Sequence, residues 1–273
     1  MKPTRSNLEN ILLVILLIFA PLALGSKFTW SYCVIAFISL AIFDLHFLNN
    51  IDHLKKVLKH PISIGFIALL AITLVYIIPF PAQIIKTVDP AAYNLREKYM
   101  LNPSLWQTLS LYPRATIEYI IKLTSYFMIF LVIVSKITGA SKYESRITNH
   151  EPRLKGSTNF VLLGSLCAVL SILFHSLVDF NLHIPANALY FTVMLAIVAS
   201  LSITNPVNRK PETVNRPINY AFLNKLVTSI IIIGFVIAVF AIIQKFSYNG
   251  NIYWLINVPG GHFGPFTNYD HYA

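Results

Sequence analysis

The stretch ILLVILLIFAPLALGS, residues 11–26, decides the class of fold. It carries no charged side chain, and a helix that crosses a bilayer needs about 20 consecutive, mostly apolar residues. Lys2 and Arg5 precede it, so the stretch also has the basic and apolar regions of a signal peptide. Further runs of the same kind follow, which favours an uncleaved first helix. Working outward, helices are expected near residues 8–25, 28–48, 62–80, 115–138, 158–180, 187–203 and 223–243. In lipid every backbone polar group must be satisfied within the protein, and a helix does this within one segment. The sequence therefore predicts an all-α, polytopic transmembrane helical bundle of about seven spans, a single membrane domain over residues 1–273.

Composition agrees. Of 273 residues, 56% are hydrophobic and 12% charged, with a mean hydropathy of +0.64. Soluble domains carry about a quarter charged residues, which argues against a water-soluble fold. The net charge of +10 is explained by where the basic residues fall. With a cytoplasmic N-terminus, the inside segments hold Lys2 and Arg5, then Lys55, Lys56 and Lys59, then Lys136, Lys142, Arg146, Arg153 and Lys155, and finally Arg209, Lys210, Arg216 and Lys225. Each of these segments is richer in Lys and Arg than the outer segments beside it, as the positive-inside rule requires. The C-terminus then lies on the outer side, and nucleic acid is not the expected partner. Trp30 and Trp254 fall at the outer interface, where amphipathic rings prefer to sit. The two cysteines, Cys33 and Cys167, lie inside apolar runs and are expected to be small buried side chains, with no disulfide or metal spacing.

Four outward or near-outward stretches could carry chemistry. In FHSLVDFNLHIPANALYF, residues 174–191, a continuing helix would stack His175, Asp179 and His183 on one face. Such a column could hold a general base with Asp179 orienting an imidazole, or form a structural clasp in which Asp179 and Asn181 cap backbone groups before Pro185. Three ligands on one turn fall short of a metal site. In the loop running from PFPAQIIKTVDP to WQTLSLYPRAT, Pro79, Pro81 and Pro90 stiffen the exit from the membrane. Arg114 ends that loop, placed either to grip phosphate oxygens or to anchor beside lipid headgroups. Glu118 and Lys122 have the spacing and order of a helical ion pair. Last, GGHFGPFTNYDHYA, residues 260–273, presents Asn268, Asp270 and His271 from a glycine-bent loop.

The combination of GPFTNYDHYA (264–273) with HSLVDFNLHIPANALYF (175–191) resembles the O-antigen ligase family, polytopic proteins of the bacterial inner membrane. FAPLALGS (19–26), IPFPAQIIKTVDP (78–90) and SLYPRAT (110–116) look like the same family's N-terminal half. Residues 1–138 and 223–273 resemble that half run continuously, and residues 139–222 resemble the family's C-terminal hairpin. The resemblance implies transfer of a glycan from an undecaprenyl-diphosphate carrier to an acceptor on the periplasmic face. That acceptor is lipid A–core for the ligases proper, and another glycan or a protein for their relatives. It implies metal-independent inversion at the anomeric carbon, with no cofactor: a base activates the acceptor hydroxyl and arginines stabilise the diphosphate leaving group. His271, His175 and Asp179 are the residues assigned to catalysis, and Arg114, Asn268, Asn181 and His183 those assigned to substrate.

Two features depart from the family's pattern. The order of the two motifs is reversed, and no stretch matches the large outer loop whose arginines and histidine the family uses in transfer. Those residues therefore have no counterpart here, and Ala273 reads as an interruption of the family's fold. The alternative function is a non-catalytic membrane subunit or a carrier-lipid or glycan transporter, although the paired broken helices of many transporters are not evident.

Overall fold

The computed structural model describes residues 5–48, 50–99, 105–139, 153–177, 181–204, 218–247 and 249–256. Among the described residues the fold is all-α apart from one small strand pair and an isolated bridge between Ile252 and Ile256. Each of the seven apolar runs is helical: α1 (Arg5–Leu22), α2 (Thr29–Phe47), α4 (Pro61–Val75), α7 (Pro113–Thr138), α8 (Arg153–His175), α9 (Pro185–Thr204) and α10 (Tyr220–Phe246). Among the described residues three short α-helices lie between them: α3 (Ile51–Leu58), α5 (Ala82–Val88) and α6 (Pro90–Tyr99). Among the described residues, α1, α2, α7, α9 and α10 are long and apolar enough to cross a membrane. The pair α3 and α4 passes the same test when taken together, and the apolar part of α8 is shorter.

Two predicted boundaries are corrected. The helix expected over 62–80 ends at Val75, because Pro79–Pro81 forms strand β1, antiparallel to β2 (Trp106–Thr108). Proline offers no N–H to continue the helical ladder. The helix expected over 158–180 ends at His175. There the bonding tightens, with Ser176 N–H donating to Ile172 O and Leu177 N–H to Phe174 O, the shortened last turn common at helix ends.

The chain folds as two compact units, residues 1–59 with 125–273, and residues 60–124. In the first, α1 buries Leu13, Leu16, Leu17 and Ala20 at helical spacing while Ile11, Ile15, Ile18 and Leu22 on its other side are exposed. A helix apolar on every side is one that faces protein on one side and lipid on the other. From Ser125 onward α7 is buried almost throughout, with Phe130, Ile133 and Ile137 among the fully enclosed side chains. The most extensive contact between described elements joins α8 and α9. The buried side of α9 mixes large Leu189, Ile197 and Leu201 with small Ala186, Ala196, Ala199 and Ser200, and small residues at such contacts let neighbouring helices approach closely.

One end of this unit is closed by backbone acceptors at the end of α1. Pro21 lies in its last turn, and Leu24, Gly25 and Ser26 follow with φ of 56°, 67° and 58°. Ser26 Oγ donates to Ala20 O at 2.8 Å. Such a left-handed run reverses the chain into α2, and glycine adopts it without strain. Tyr190 donates its hydroxyl to Leu17 O at 2.8 Å, and Tyr253 donates to Leu22 O. Nearby, Trp254 Nε1 donates to Ser247 O at 2.9 Å, and Trp30 packs edge-on against Phe19.

The second unit turns the loop after α4 into a folded element. His60 caps α4, accepting from Ile62 N–H on Nδ1 at 3.3 Å, with Pro61 at the first helical position. Asp89 and Pro90 do the same for α6, Asp89 Oδ1 accepting from Ala92 N–H at 2.9 Å. Arg96, only 7% exposed, then reaches from α6 to the strand pair, donating to Gln107 Oε1 at 3.3 Å and Ser110 O at 2.7 Å.

Candidate functional site

Of the residues assigned from the sequence, His271, Asn268 and Asp179 lie outside the described residues, as do Asp270 and the side chain of Asn181. His175 is half-buried at the end of α8, and His183 is exposed in the 3₁₀ turn Asn181–His183 that leads into α9. The continuous helix that would have stacked these two histidines, eight positions apart, on one face stops at His175, and His183 belongs to the separate 3₁₀ turn. Arg114 opens α7 in the other unit, its side chain 74% exposed, with Nε 3.8 Å from Glu118 Oε1. Glu118 thus meets the arginine one turn before it, while Lys122 Nζ lies 5.3 Å from the centre of the Tyr119 ring. Among the described residues no group of His, Cys, Asp and Glu side chains is arranged to hold a metal ion.

Cys33 and Cys167 are free and exposed, which corrects the expectation of burial. Both sit on apolar helix faces that the rest of the chain leaves uncovered, where small size gives no protection.

The most developed polar site is one the sequence did not single out. Glu9 on α1, His46 on α2, His53 on α3, and Ser135 and Lys136 on α7 meet inside the first unit. His46 Nδ1 is 3.0 Å from Glu9 Oε2, and Lys136 Nζ is 2.8 Å from the same oxygen. His46 Nε2 is 2.7 Å from Ser135 Oγ, and His53 Nδ1 is also 2.7 Å from that hydroxyl. Arg5 Nε stands 3.9 Å from Glu9 Oε1, and Arg5 Nη2 donates to Asp44 O at 3.3 Å. The side chains of Glu9, Lys136 and His46 are 7%, 8% and 12% exposed.

Helical spacing explains the convergence. Glu9 stands four positions before Leu13, on the side of α1 that packs inward. Ser135 and Lys136 lie in the last turn of α7. Gly139 follows, where a Cβ would stand 2.5 Å from Ser135 O, so the end of α7 itself calls for glycine there, while the His53 ring of α3 would lie at ordinary contact, 3.4 Å away. On the far side Lys136 Nζ lies over the Phe222 ring of α10, 5.2 Å from its centre.

The hydrogen-bond roles follow from what each group can do. An ionised carboxylate only accepts, so Lys136 and His46 Nδ1–H donate to Glu9. A neutral His46 then accepts on Nε2 from the Ser135 hydroxyl, whose oxygen accepts from His53 Nδ1–H. The signal in the sequence was the presence of Glu9, His46 and Lys136 inside or at the ends of apolar runs, where ionisable side chains are costly and face the bundle interior.

A scan against protein-family models, a search of curated proteins and a search of solved structures each gave no match for this chain.

Proposed function

We propose that this chain is a multi-pass protein of the bacterial inner membrane, related to the O-antigen ligases and acting on lipid-diphosphate-linked glycan at the periplasmic face. The observation that carries this is the pairing of HSLVDFNLHIPAN (175–187) with GPFTNYDHYA (264–273) in one apolar chain. The bundle spans the membrane about seven times with its N-terminus in the cytoplasm. In support, α1, α2, α7 and α10 pack so that the start of α1, the ends of α2 and α7 and the start of α10 share one end of the first unit. This alternation fits a chain threaded back and forth across a bilayer, and the Lys and Arg bias assigns that end to the cytoplasm.

In this function His271, His175 and Asp179 serve proton transfer from the acceptor hydroxyl, and Arg114, Asn268, Asn181 and His183 contact the donor. Arg114 is exposed at the first turn of a helix, where its guanidinium can present two parallel N–H donors to a diphosphate. The donor is an undecaprenyl-diphosphate-linked glycan, and the acceptor lipid A–core, another glycan or a protein. The test is transfer in proteoliposomes holding that donor and acceptor, with His271→Ala and Arg114→Ala beside the unmodified chain. Transfer that both substitutions abolish supports the assignment. Transfer that survives both overturns the sites, and no transfer at all favours the alternative, a non-catalytic subunit or a carrier-lipid or glycan transporter. One observation speaks for that alternative: chains of buried carboxylate and imidazole, such as Glu9 with His46, are common in proton-coupled transporters.

A further inference from the structure

Given that α4 and α7 cross the bilayer, we propose that α5, α6 and the residues that open β2 form a platform lying in the membrane interface. Ile84, Val88, Leu95, Tyr99, Leu105 and Trp106 are set into the boundary between lipid headgroups and acyl chains. All six side chains are exposed. Ile84 and Val88 stand four apart on α5, and Ala91, Leu95 and Tyr99 stand four apart on α6, so each helix carries an apolar stripe on one side. Gln83 and Thr87 of α5 and Asn94 and Glu97 of α6, also exposed, fall outside those stripes. A third side of each helix packs inward, through Ile85 and Ala92. Ala82 N–H donates to Leu105 O at 2.9 Å, which holds Leu105 and Trp106 beside the start of α5.

The buried side chains of this fold include polar Arg96, Gln107 and Ser110 with Ile85 and Ala92, whereas larger apolar side chains face out. Exposed apolar surface of this extent marks an interaction site, and the chain itself carries lipid up to it. Exposed Ile72, Val75, Tyr76 and Ile78 continue the outer side of α4 to the edge of β1. Exposed Leu111 and Tyr112 stand just before Pro113, where α7 begins. Tyr76 O accepts from Ser110 N–H at 2.9 Å, which ties the ends of the two helices together at the base of the strand pair.

Distance then fixes the level of the platform. β1 has three residues, so α5 begins no more than about 10 Å from Pro79. The headgroup zone on each face of a bilayer is about 5–8 Å deep. A platform held this close to the ends of α4 and α7 meets lipid headgroups with its apolar stripes. Its composition suits that level. Trp and Tyr rings favour the interface, and Lys98 Nζ lies 5.4 Å from the centre of the Tyr99 ring. A lysine there keeps its stem along apolar surface and its ammonium among phosphates.

The experiment places a bimane fluorophore on single cysteines of the full chain in lipid nanodiscs, with Cys33 and Cys167 replaced by serine. Val88→Cys and Leu95→Cys sample the stripes, Asn94→Cys the polar side of α6, and Ile67→Cys the middle of α4. Each is quenched with lipids carrying a nitroxide near the headgroup or deep in the acyl chain, and with aqueous iodide. At Val88→Cys and Leu95→Cys the shallow nitroxide is expected to remove more fluorescence than either the deep one or iodide. Asn94→Cys should lose most fluorescence to iodide, and Ile67→Cys to the deep nitroxide. Quenching of both stripe positions by iodide alone puts them in water and overturns the platform. Resistance to every quencher means that protein covers them, a second copy or another part of this chain, and overturns it equally. If Ile67→Cys escapes the deep nitroxide, α4 is not in lipid, and its spanning role falls together with the platform. Where a cysteine variant does not fold, Trp106 decides. The emission difference between the unmodified chain and Trp106→Phe is expected to be lost chiefly to the shallow nitroxide, and loss chiefly to iodide overturns the proposal.

Discussion

Glu9 and Lys136 stand 127 residues apart in the chain, yet Lys136 Nζ lies 2.8 Å from Glu9 Oε2. Both side chains are more than nine-tenths enclosed, at 7% and 8% exposure. A charge pair in such a place is not by itself a source of stability, because desolvation offsets most of the attraction. Removing one partner is different, since the other charge is left enclosed without compensation. In addition, His46 and Arg5 are held on the same carboxylate.

Glu9→Gln is therefore expected to lower the unfolding free energy in mild detergent by about 3–5 kcal/mol. Lys136→Met should lower it by a similar amount, and the double substitution by clearly less than the two losses added. Equilibrium unfolding of the three variants measures the coupling. Additive losses would show that the two residues act separately despite their contact.

Arg96 gives a second prediction, confined to residues 60–124. Its guanidinium joins α6 to Gln107 and to the carbonyl of Ser110, and Ser110 in turn bonds Thr116 at 2.7 Å. Hydrogen bonds to a charged group contribute about 1.5–3 kcal/mol each, and burial raises the cost of losing the donor. Arg96→Met is expected to speed amide hydrogen exchange over residues 79–110, with little change in α1 and α2. Exchange that rises equally along the whole chain would argue that Arg96 is not a local tie.

These two examples show where the sequence was legible and where it was not. Apolar runs announced the seven helices, because helical spacing and lack of charge are local properties. The start of α6 was missed: Pro90 was read as stiffening a loop, whereas Asp89 caps a helix that Pro90 opens. The pairing of Pro79–Pro81 with Trp106–Thr108 has no local signal, since it depends on two helices folding between the strands. The Glu9 site likewise needs the relative register of α1, α2, α3 and α7. Only the cost of placing Glu9, His46 and Lys136 in apolar surroundings hinted at it. At His175 and His183 the local pattern misleads about the helix: the spacing suggested one continuous helix, whereas α8 ends at His175 and His183 lies in a separate 3₁₀ turn.

Tyr253 sets a limit at alkaline pH. Burial pushes its phenol up to about 12, above the ordinary 10.0, while its hydroxyl donates to Leu22 O. A folded value raised above the unfolded one contributes stability that is fully present below pH 10 and is lost as pH rises through about 12. In absorbance titrations of the folded protein, the difference between the unmodified chain and Tyr253→Phe should show one phenol ionising near pH 12. Tyr253→Phe should also lose part of the stability that falls away over that range. A difference midpoint near 10.0 would mean that the phenol is open to water.

The two ends of α1 provide the test of orientation. Asp52, with a side chain 93% exposed, follows the α2 end that meets Glu9, whereas exposed Asn249 lies beside Trp254 and Tyr253 at the Leu22 end. An 18-residue helix separates these ends by about 27 Å, close to the thickness of the hydrocarbon core. In a background with Cys33 and Cys167 replaced by serine, Asp52→Cys and Asn249→Cys each present one thiol. For right-side-out membrane vesicles, a membrane-impermeant maleimide is expected to label Asn249→Cys at once and Asp52→Cys only after the membrane is permeabilised. The reverse pattern would invert the orientation drawn from the Lys and Arg bias, and would move the outward motifs away from a periplasmic donor. Equal labelling of both sites in sealed vesicles would mean that the two ends of α1 do not lie on opposite sides of the bilayer, which removes the spanning role of this helix.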